Sequence, residues 1–326
     1  MPSPLSVWNT APTSAPAQRA DRYVSGSAAH PAKMLPQIAA HAITTYTRPG
    51  ELVLDPMCGI GTTLVEAIRL GRHALGTEYE PRWADLARAN VTHTLQATEG
   101  GSGQVACGDA RHLTDLIDER HHGRIALVVT SPPYGNSVHG QVRSSRETGD
   151  RGVVKKDYRY SHDPSNLAHV STEQLLDAFA GILTQCRLVL RPGGTVVVTT
   201  RPWREQGELI DLPSAVLAAG QAAGLTPTER CVALLAGIRN SRLIMRPSFF
   251  QMKNVRDARR QGIPLAVIQH EDVLVFTRPA LTPMCPAGHT QLPNTPRCTT
   301  RGTRTPATGK TCRSRTCMPE GNRGER

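Results

Sequence analysis

The chain has 326 residues, enough for one large α/β domain with additional segments, and it carries 38 Lys and Arg against 27 Asp and Glu. The formal net charge of +11 favours a polyanionic partner, whereas 4% aromatic residues are too few for the base-stacking surface of RNA-binding modules. The apolar runs are only of strand length, which excludes a membrane span, and the N-terminus lacks the pattern of a secretory signal. A cytoplasmic protein without membrane attachment is therefore predicted.

The two ends of the chain differ in composition from its body. Residues 278–326 contain nine Lys and Arg against two acids and are rich in Pro, Thr and Gly, so they cannot bury enough apolar surface to offset the entropy of ordering. Residues 1–28 and 279–326 are therefore predicted to be flexible, the latter as a disordered basic tail, and residues 29–278 to form the folded domain. The spacing of the cysteines matches no paired zinc module, and no metal site is predicted.

In the body, short β-branched runs alternate with amphipathic stretches. Strands are predicted at 51–55, 73–78, 104–109, 125–131, 195–200, 229–238 and 271–278, and helices near 62–70, 81–96, 110–120, 172–190 and 211–223. The helix at 172 has the best-marked start, because Ser171 and Gln174 form a capping-box pattern. Such alternation predicts a doubly wound α/β sheet, in which ligands bind beyond the carboxyl ends of the strands.

Polar groups follow each of the first three predicted strands. The first strand ends at Asp55 and is followed by a turn in which Gly59 and Gly61 allow a ligand to approach the backbone. Leu64 stands where a dinucleotide fingerprint would need a third glycine, which disfavours an NAD enzyme. Glu78 could accept the hydroxyls of a ribose and Asp109 the amino group of an adenine, although either acid alone could simply cap a helix. Together they describe a nucleoside pocket.

The fourth predicted strand ends in Ser131-Pro132-Pro133-Tyr134. Prolines have no N–H to donate, so the carbonyl groups here are free to accept hydrogen bonds from an external amino group. Ser131 adds a hydroxyl acceptor, and Tyr134 offers a flat face on which a base could stack. The alternative is a turn that only ends the strand, but such a turn needs one proline or a glycine and no exposed tyrosine.

These motifs, in this order over residues 30–278, resemble the S-adenosylmethionine-dependent DNA amino-methyltransferases. The resemblance implies a seven-stranded class I, Rossmann-like methyltransferase sheet with an antiparallel last strand at 270–276. It also implies S-adenosylmethionine as the cofactor and Ser131, Pro132, Pro133 and Tyr134 as the catalytic residues. The cofactor-binding residues that it implies are His30, Pro31, Lys33, Asp55, Cys58, Gly59, Gly61, Thr62, Glu78 and Asp109.

The first residue of the catalytic motif bears on the target base. In the family, Ser at this position is typical of cytosine-N4 enzymes, and Asp or Asn is typical of adenine-N6 enzymes, so Ser131 predicts a site-specific cytosine-N4 DNA methyltransferase acting on a flipped-out base. Adenine-N6 methylation of DNA remains an alternative. Gly135 after the motif is also common in RNA guanine-N2 methyltransferases, which keeps RNA as a possible substrate. A nucleic-acid-binding protein with a catalytically silent domain is a further alternative.

Residues 136–170 form a basic insertion in place of the family's usual target-recognition domain. Its position beside Tyr134 predicts contact with DNA phosphates or guanine edges, although a solvated mobile loop is the alternative. A companion restriction nuclease is a possible partner, and no oligomeric state is predicted. The residues predicted to bind nucleic acid are Arg143, Arg146, Arg151, Lys155, Lys156 and Arg159.

Overall fold

The computed structural model describes residues 5–30, 32–132, 141–143, 154–156, 166–167, 170–205, 208–247 and 249–280. The strands in chain order are β1 (Val7–Trp8), β2 (Leu52–Asp55), β3 (His73–Glu78), β4 (Ser102–Cys107), β5 (Ile125–Thr130), β6 (Gln141–Arg143), β7 (Val154–Lys156), β8 (Leu190–Thr200), β9 (Trp203–Glu205), β10 (Glu208–Ile210), β11 (Thr226–Leu234), β12 (Gly237–Arg239), β13 (Arg242–Ile244) and β14 (His270–Thr277). The helices are α1 (Ala15–Arg19), α2 (Pro36–Tyr46), α3 (Thr62–Arg69), α4 (Pro81–Ala97), α5 (Leu113–Leu116), α6 (Thr172–Val189), α7 (Leu212–Ala222) and α8 (Phe249–Arg260).

Eight of these strands form one sheet in the order β1-β11-β14-β8-β5-β2-β3-β4. Neighbouring strands are parallel except at β14, which is antiparallel to both β8 and β11. The predicted α/β sheet with an antiparallel last strand is thereby confirmed, and the strand order is that of the class I methyltransferase fold. The sheet has eight strands and not seven, because β1 adds a parallel strand beside β11.

Both faces of the sheet are covered by helices, as expected for parallel strands that are apolar on both sides. On one face, Val53, Val129 and Val197 pack with residues of α2, α3 and α4. On the other face, Val128 and Val198 pack with Phe179 of α6 and with residues of α5 and α7. Alternate residues of each strand therefore enter opposite halves of the core.

Residues 1–28 are predicted from the sequence to be flexible, whereas in the structure the segment that begins at Leu5 packs against the sheet. Trp8 is 2% exposed, and its ring lies 4.4 Å from that of His41 in α2. Gln18 is also buried and donates a hydrogen bond to the carbonyl of Thr10 at 3.0 Å. Composition did not reveal this packing, because two strand residues and one large aromatic are enough to hold the segment against the edge of the sheet.

Other predicted elements differ from the structure in extent. The capping box at Ser171 and Gln174 is present in both directions. The predicted helix at 110–120 is reduced to short turns and α5, whereas the helix predicted at 172–190 is α6. The sequence did not predict α2, the β12–β13 hairpin or α8.

The basic insertion at 136–170 is described only in part. Gln141–Arg143 pairs antiparallel with Val154–Lys156, so Arg143, Lys155 and Lys156 lie on a two-stranded ladder. The predicted nucleic-acid-binding residues Arg146, Arg151 and Arg159 lie outside the described residues, as do positions 281–326 of the predicted tail. Among the helices that the structure describes, none is long and apolar enough to cross a membrane.

Candidate functional site

A cavity of about 320 Å³ lies at the carboxyl edge of the sheet, where the polar residues of the motifs meet. It brings together these predicted site residues: His30, Lys33, Asp55, Cys58, Gly59, Thr62, Glu78, Asp109, Ser131 and Pro132. It is also lined by residues that the sequence analysis did not single out, including Met34, Ile60, Tyr79, Arg111, Asn166, Leu167, Ile182, Thr199, Arg201 and Glu271. Pro31, Pro133 and Tyr134 lie outside the described residues.

The turn between β2 and α3 forms one wall of the cavity. Gly59 has φ of +54°, and a Cβ atom there would lie 3.1 Å from Nε2 of His30. The His30 imidazole is buried between this turn and Trp83, against which it packs edge-on at 4.7 Å. Cys58 is buried in the same turn, and burial raises the pKa of its thiol, so it is no nucleophile.

Gly61 has a structural role that the sequence analysis did not anticipate. It adopts φ of +80° directly before α3, and a Cβ there would lie 3.4 Å from Cβ of Ala87 in α4. It is not among the residues that line the cavity. Its small size therefore allows the turn to pack against α4, whereas Gly59 lines the cavity.

Asp55 is held in one orientation beneath the turn. Its carboxylate accepts hydrogen bonds from the Thr63 hydroxyl at 2.7 Å and from the Met57 N–H at 3.1 Å. Burial raises the pKa of Asp55 to about 6, and the hydrogen bonds oppose this effect. At neutral pH the group is an oriented carboxylate that a cationic ligand group can neutralise.

Glu78 links the end of β3 to the glycine turn. One carboxylate oxygen accepts from the Gly59 N–H at 2.8 Å, and the other accepts from the Glu80 N–H at 3.0 Å. Burial raises the pKa of Glu78 to about 7, with the charges of Glu80 and Asp55 adding to the shift. Because a carboxylate has about four acceptor positions, each oxygen can still accept from a ribose hydroxyl.

These raised pKa values predict a pH-dependent stability for the ligand-free protein. Glu78 and Asp55 keep protons in the folded state at pH values where the unfolded chain, with pKa values near 4, has lost them. The free energy of unfolding should therefore fall as pH rises from about 4 to about 7, by a few kcal/mol from Glu78 at about 1.4 kcal/mol per pKa unit. Urea unfolding at pH 5.0 and pH 7.5 measures this change, which Glu78→Gln should reduce. Equal pH dependence in wild type and variant would contradict the prediction.

Asp109 is more exposed than the other two acids and already has a partner. Both of its carboxylate oxygens accept from the Nε of Arg111, at 2.9 and 3.0 Å, and Oδ1 also accepts from the Arg111 N–H at 2.9 Å. Burial alone would raise the pKa of Asp109, but the hydrogen bonds and charge of Arg111 lower it below its ordinary value. Asp109 is therefore ionised and fixed at the rim of the cavity.

Lys33 supplies a cation to the same cavity. Its Nζ donates to the carbonyl groups of Ala28 and His30. Burial, together with the charge of Arg19, lowers the pKa of Lys33 to about 8, so at pH 7 it still carries most of its charge. The predicted motif at residues 30–33 therefore places a positive group in the same cavity as Asp55.

The side chains at four strand ends share one face of the sheet. Val53, Val129, Val197 and Val273 belong to the same half of the core. Side chains alternate between the two faces along a strand. On each of these strands, the residue two positions closer to the carboxyl edge than the valine therefore faces the same way as the valine. These four residues are Asp55, Ser131, Thr199 and Glu271, all of which line the cavity.

Glu271, Thr199 and Arg201 are the functional candidates that the sequence analysis missed. Burial raises the pKa of Glu271, and the Arg201 charge and the Thr199 hydroxyl oppose this shift. Although it lies near Glu271, the buried Thr199 hydroxyl makes no hydrogen bond of ordinary geometry to any residue that the structure describes. The available signal was the polar start of an antiparallel strand, which necessarily lies at the carboxyl edge of the parallel strands.

These groups fit S-adenosylmethionine. Its methionine end carries an ammonium and a carboxylate, which match the charges of Asp55 and Lys33, and its ribose hydroxyls match the free acceptor positions of Glu78. Asp109 lines the same cavity, with its carboxylate engaged by Arg111, and the glycine turn leaves room for close approach. With the strand order of the sheet, this set of donors and acceptors identifies the cofactor of the fold as S-adenosylmethionine.

Comparison with known proteins gives three partial matches. A family model described as DNA methylase matches residues 2–89. The tRNA (guanine(10)-N2)-dimethyltransferase of Methanocaldococcus jannaschii is 30% identical over 122 residues, 36% of this chain and 34% of that protein. The enzyme of the same name from Methanothermobacter thermautotrophicus is 32% identical over 110 residues, 33% of this chain and 30% of that protein. The chain thus matches about a third of the length of these relatives.

Among solved structures, a methyltransferase from Pyrococcus furiosus is 13% identical to the chain, with a TM-score of 0.41, and the match covers 76% of this chain and 84% of that one. Because this sequence identity and this TM-score are low, the fold is assigned from the strand order of the sheet and not from the match.

Proposed function

We propose that the chain transfers the methyl group of S-adenosylmethionine to an exocyclic amino group of a base in nucleic acid. The observation that carries this proposal is the position of Ser131 and Pro132 in the wall of the cofactor cavity, at the end of the strand next to β2. The partial matches to a DNA methylase model and to tRNA methyltransferases agree with such a substrate.

The mechanism follows from acceptors placed beside a methyl donor. Pro132 has no N–H, so its carbonyl and the Ser131 hydroxyl present acceptors to the hydrogens of a target amino group. Holding these hydrogens would turn the nitrogen lone pair toward the methyl carbon. As the N–C bond forms, the S–C bond breaks, the thioether S-adenosylhomocysteine leaves with the electron pair, and the amino group loses one proton to solvent. Positioning for this in-line displacement would supply most of the rate. A base within a duplex must first leave the stack, at a cost of a few kcal/mol. The same chemistry applies to cytosine, adenine and guanine.

Guanine N2 in RNA is the first candidate target. The edge of guanine presents two neighbouring donors, N1–H and the N2 amino group, and one acceptor, O6. Glu271 can accept from these donors, and Arg201 can donate to O6, on the same face of the sheet as Ser131. The two tRNA guanine-N2 methyltransferase relatives agree with this choice.

Cytosine N4 in DNA is the second candidate, and Ser131 is the observation in its favour. The DNA methylase model that matches residues 2–89 supports it as well. Cytosine would place its N3 and O2 acceptors toward Glu271, which suits a protonated carboxyl group, and burial raises the pKa of Glu271 in that direction. A companion restriction nuclease belongs to this candidate alone, whereas a cytoplasmic location suits both.

Replacing Glu271 by Gln should separate base recognition from cofactor binding. An amide accepts more weakly and presents its NH2 group to the guanine donors, so KM for the RNA should rise about tenfold or more. The affinity for S-adenosylmethionine, measured by calorimetry, should stay unchanged. Asp272→Asn is the matched control, because Asp272 is the neighbouring acid and pairs with Arg230 at 3.0 Å. Equal KM values in the two variants would contradict a role for Glu271 in base recognition.

The target itself is tested by nucleoside mass spectrometry. Purified protein is incubated with labelled cofactor and either unmodified tRNA transcripts or unmethylated DNA. Label in N2-methylguanosine supports the proposal, and label in N4-methylcytosine from DNA supports the second candidate. Label in N6-methyladenine would reject both bases, and cofactor binding without any transfer would favour a catalytically silent domain.

A further inference from the structure

The insertion between β11 and β14, residues 235–269, lies at the same edge of the sheet as the cofactor cavity. β11 runs parallel to the central strands, and Leu234 at its end pairs with His270 at the start of β14. The chain therefore leaves and re-enters the sheet at the carboxyl edge, next to Glu271. Within the insertion, the β12–β13 hairpin is followed by α8.

The base of this insertion is anchored by the N-terminal segment. The guanidinium of Arg246 donates to the carbonyl groups of Ala11 at 2.7 Å and Pro12 at 3.2 Å, and the Thr10 hydroxyl donates to the carbonyl of Leu234 at 2.7 Å. The turn of the hairpin is tight, because Asn240 and Ser241 both adopt positive φ. The N-terminal segment, which is joined to the sheet through β1, therefore holds the hairpin in place.

The exposed surface of the insertion is strongly basic. Residues 235–269 contain seven Lys and Arg and one acid, Asp257, which pairs with Lys253 at 2.9 Å and Arg260 at 3.7 Å. One carboxylate cannot neutralise seven cations, so the insertion carries a net positive charge. Within the described part of the chain, no acidic group forms an ion pair with Arg239, Arg242 or Arg256, and all three are exposed.

Apolar side chains lie among these cations. Ile238, Leu243 and Met245 of the hairpin region are each more than half exposed. Proteins that bind nucleic acids combine cations for the phosphates with apolar side chains that pack against sugars or enter between bases. A second copy of this chain would bring the same positive charge to the same face, which disfavours self-association.

We infer that the hairpin and α8 form a docking surface for the phosphate backbone of the nucleic acid whose base enters the cavity. This inference rests on the proposed function for its substrate, and it assigns the contact to Arg239, Arg242 and Arg256. The surface is separate in sequence from the basic insertion at 136–170. Its place beside β14 brings backbone contacts to the edge of the sheet that carries Ser131 and Glu271.

The test is a triple variant in which Arg239, Arg242 and Arg256 are each replaced by Gln in the full chain. The matched control replaces Arg48, Arg69 and Arg124 by Gln; these arginines are also exposed, but lie at the amino edge of the sheet. Binding of a fluorescent tRNA transcript and of a 30-base-pair DNA duplex is measured by anisotropy over a range of salt concentrations. Methyl transfer and the mass in solution are measured on the same samples.

The docking variant should raise Kd at least tenfold at low salt and reduce the slope of log K against log salt by about 2 to 3. The control triple should bind as the wild type does, and Lys at the three docking positions should restore most of the affinity. The nucleic acid that the wild type binds with the lower Kd, the tRNA transcript or the DNA duplex, is the one assigned to the surface. Equal binding by the docking and control variants would overturn the inference, as would a change from dimer to monomer in the docking variant.

Failure of the proposed function gives a different pattern. If the wild type binds nucleic acid and the docking variant does not, but neither transfers methyl groups, the docking surface stands and the proposed activity fails. If the wild type methylates nucleic acid and the docking variant binds it equally well, the activity stands and the docking surface fails.

Discussion

Replacing Glu78 by Ala should weaken the binding of S-adenosylmethionine by about a hundredfold. The carboxylate offers acceptors to two ribose hydroxyls, and hydrogen bonds to a charged group contribute about 1.5–3 kcal/mol each. The same substitution removes the acceptor for the Gly59 N–H, which orients the glycine turn. Isothermal titration calorimetry with the purified variant measures the loss directly.

Asp109→Ala serves as the comparison for this result, because Asp109 lines the same cavity. Its carboxylate is partly exposed and already engaged by Arg111, so its loss should weaken binding less than that of Glu78. Circular dichroism establishes that each variant is folded. An unchanged affinity in folded Glu78→Ala protein would show that the ribose is held elsewhere.

Replacing Trp8 by Ala should lower the free energy of unfolding by about 3–5 kcal/mol, the usual cost of truncating a buried aromatic. Trp8 is 2% exposed, whereas the preceding Val7 is 50% exposed on the same two-residue strand. Val7→Ala is therefore the matched control, with an expected cost within about 0.5 kcal/mol. Urea unfolding followed by circular dichroism gives both values. Equal stabilities would mean that the N-terminal segment adds nothing to the fold.

The fold could be predicted from the sequence because its signals are local. Each strand of the parallel half is a short apolar run that ends in a polar or small residue, and Ser171 with Gln174 marks the start of α6. The acids Asp55, Glu78 and Asp109 follow three such strands, and parallel strands bring their carboxyl ends to one edge. The position of the cofactor cavity therefore follows from the sequence pattern alone.

The remaining features depend on contacts between distant parts of the chain. Trp8 is buried only because β1 meets β11, more than two hundred residues later, and no local pattern announces that pairing. Glu271 lines the same cavity as Ser131 only because β14 is antiparallel and begins at the carboxyl edge. The charge of α8 was visible in the sequence, but the strand order was needed to show that its insertion leaves the sheet at the carboxyl edge.

The measurement that tests the central claim most directly is transfer of a labelled methyl group from S-adenosylmethionine to RNA by the purified protein. The digested product should carry the label on an exocyclic amino group, with N2-methylguanosine as the expected nucleoside. Transfer should be lost in Glu78→Ala and reduced in Glu271→Gln, while Asp272→Asn retains it. Label on a ring carbon or a ribose oxygen, or no transfer to RNA or DNA by folded, cofactor-binding protein, would contradict the account.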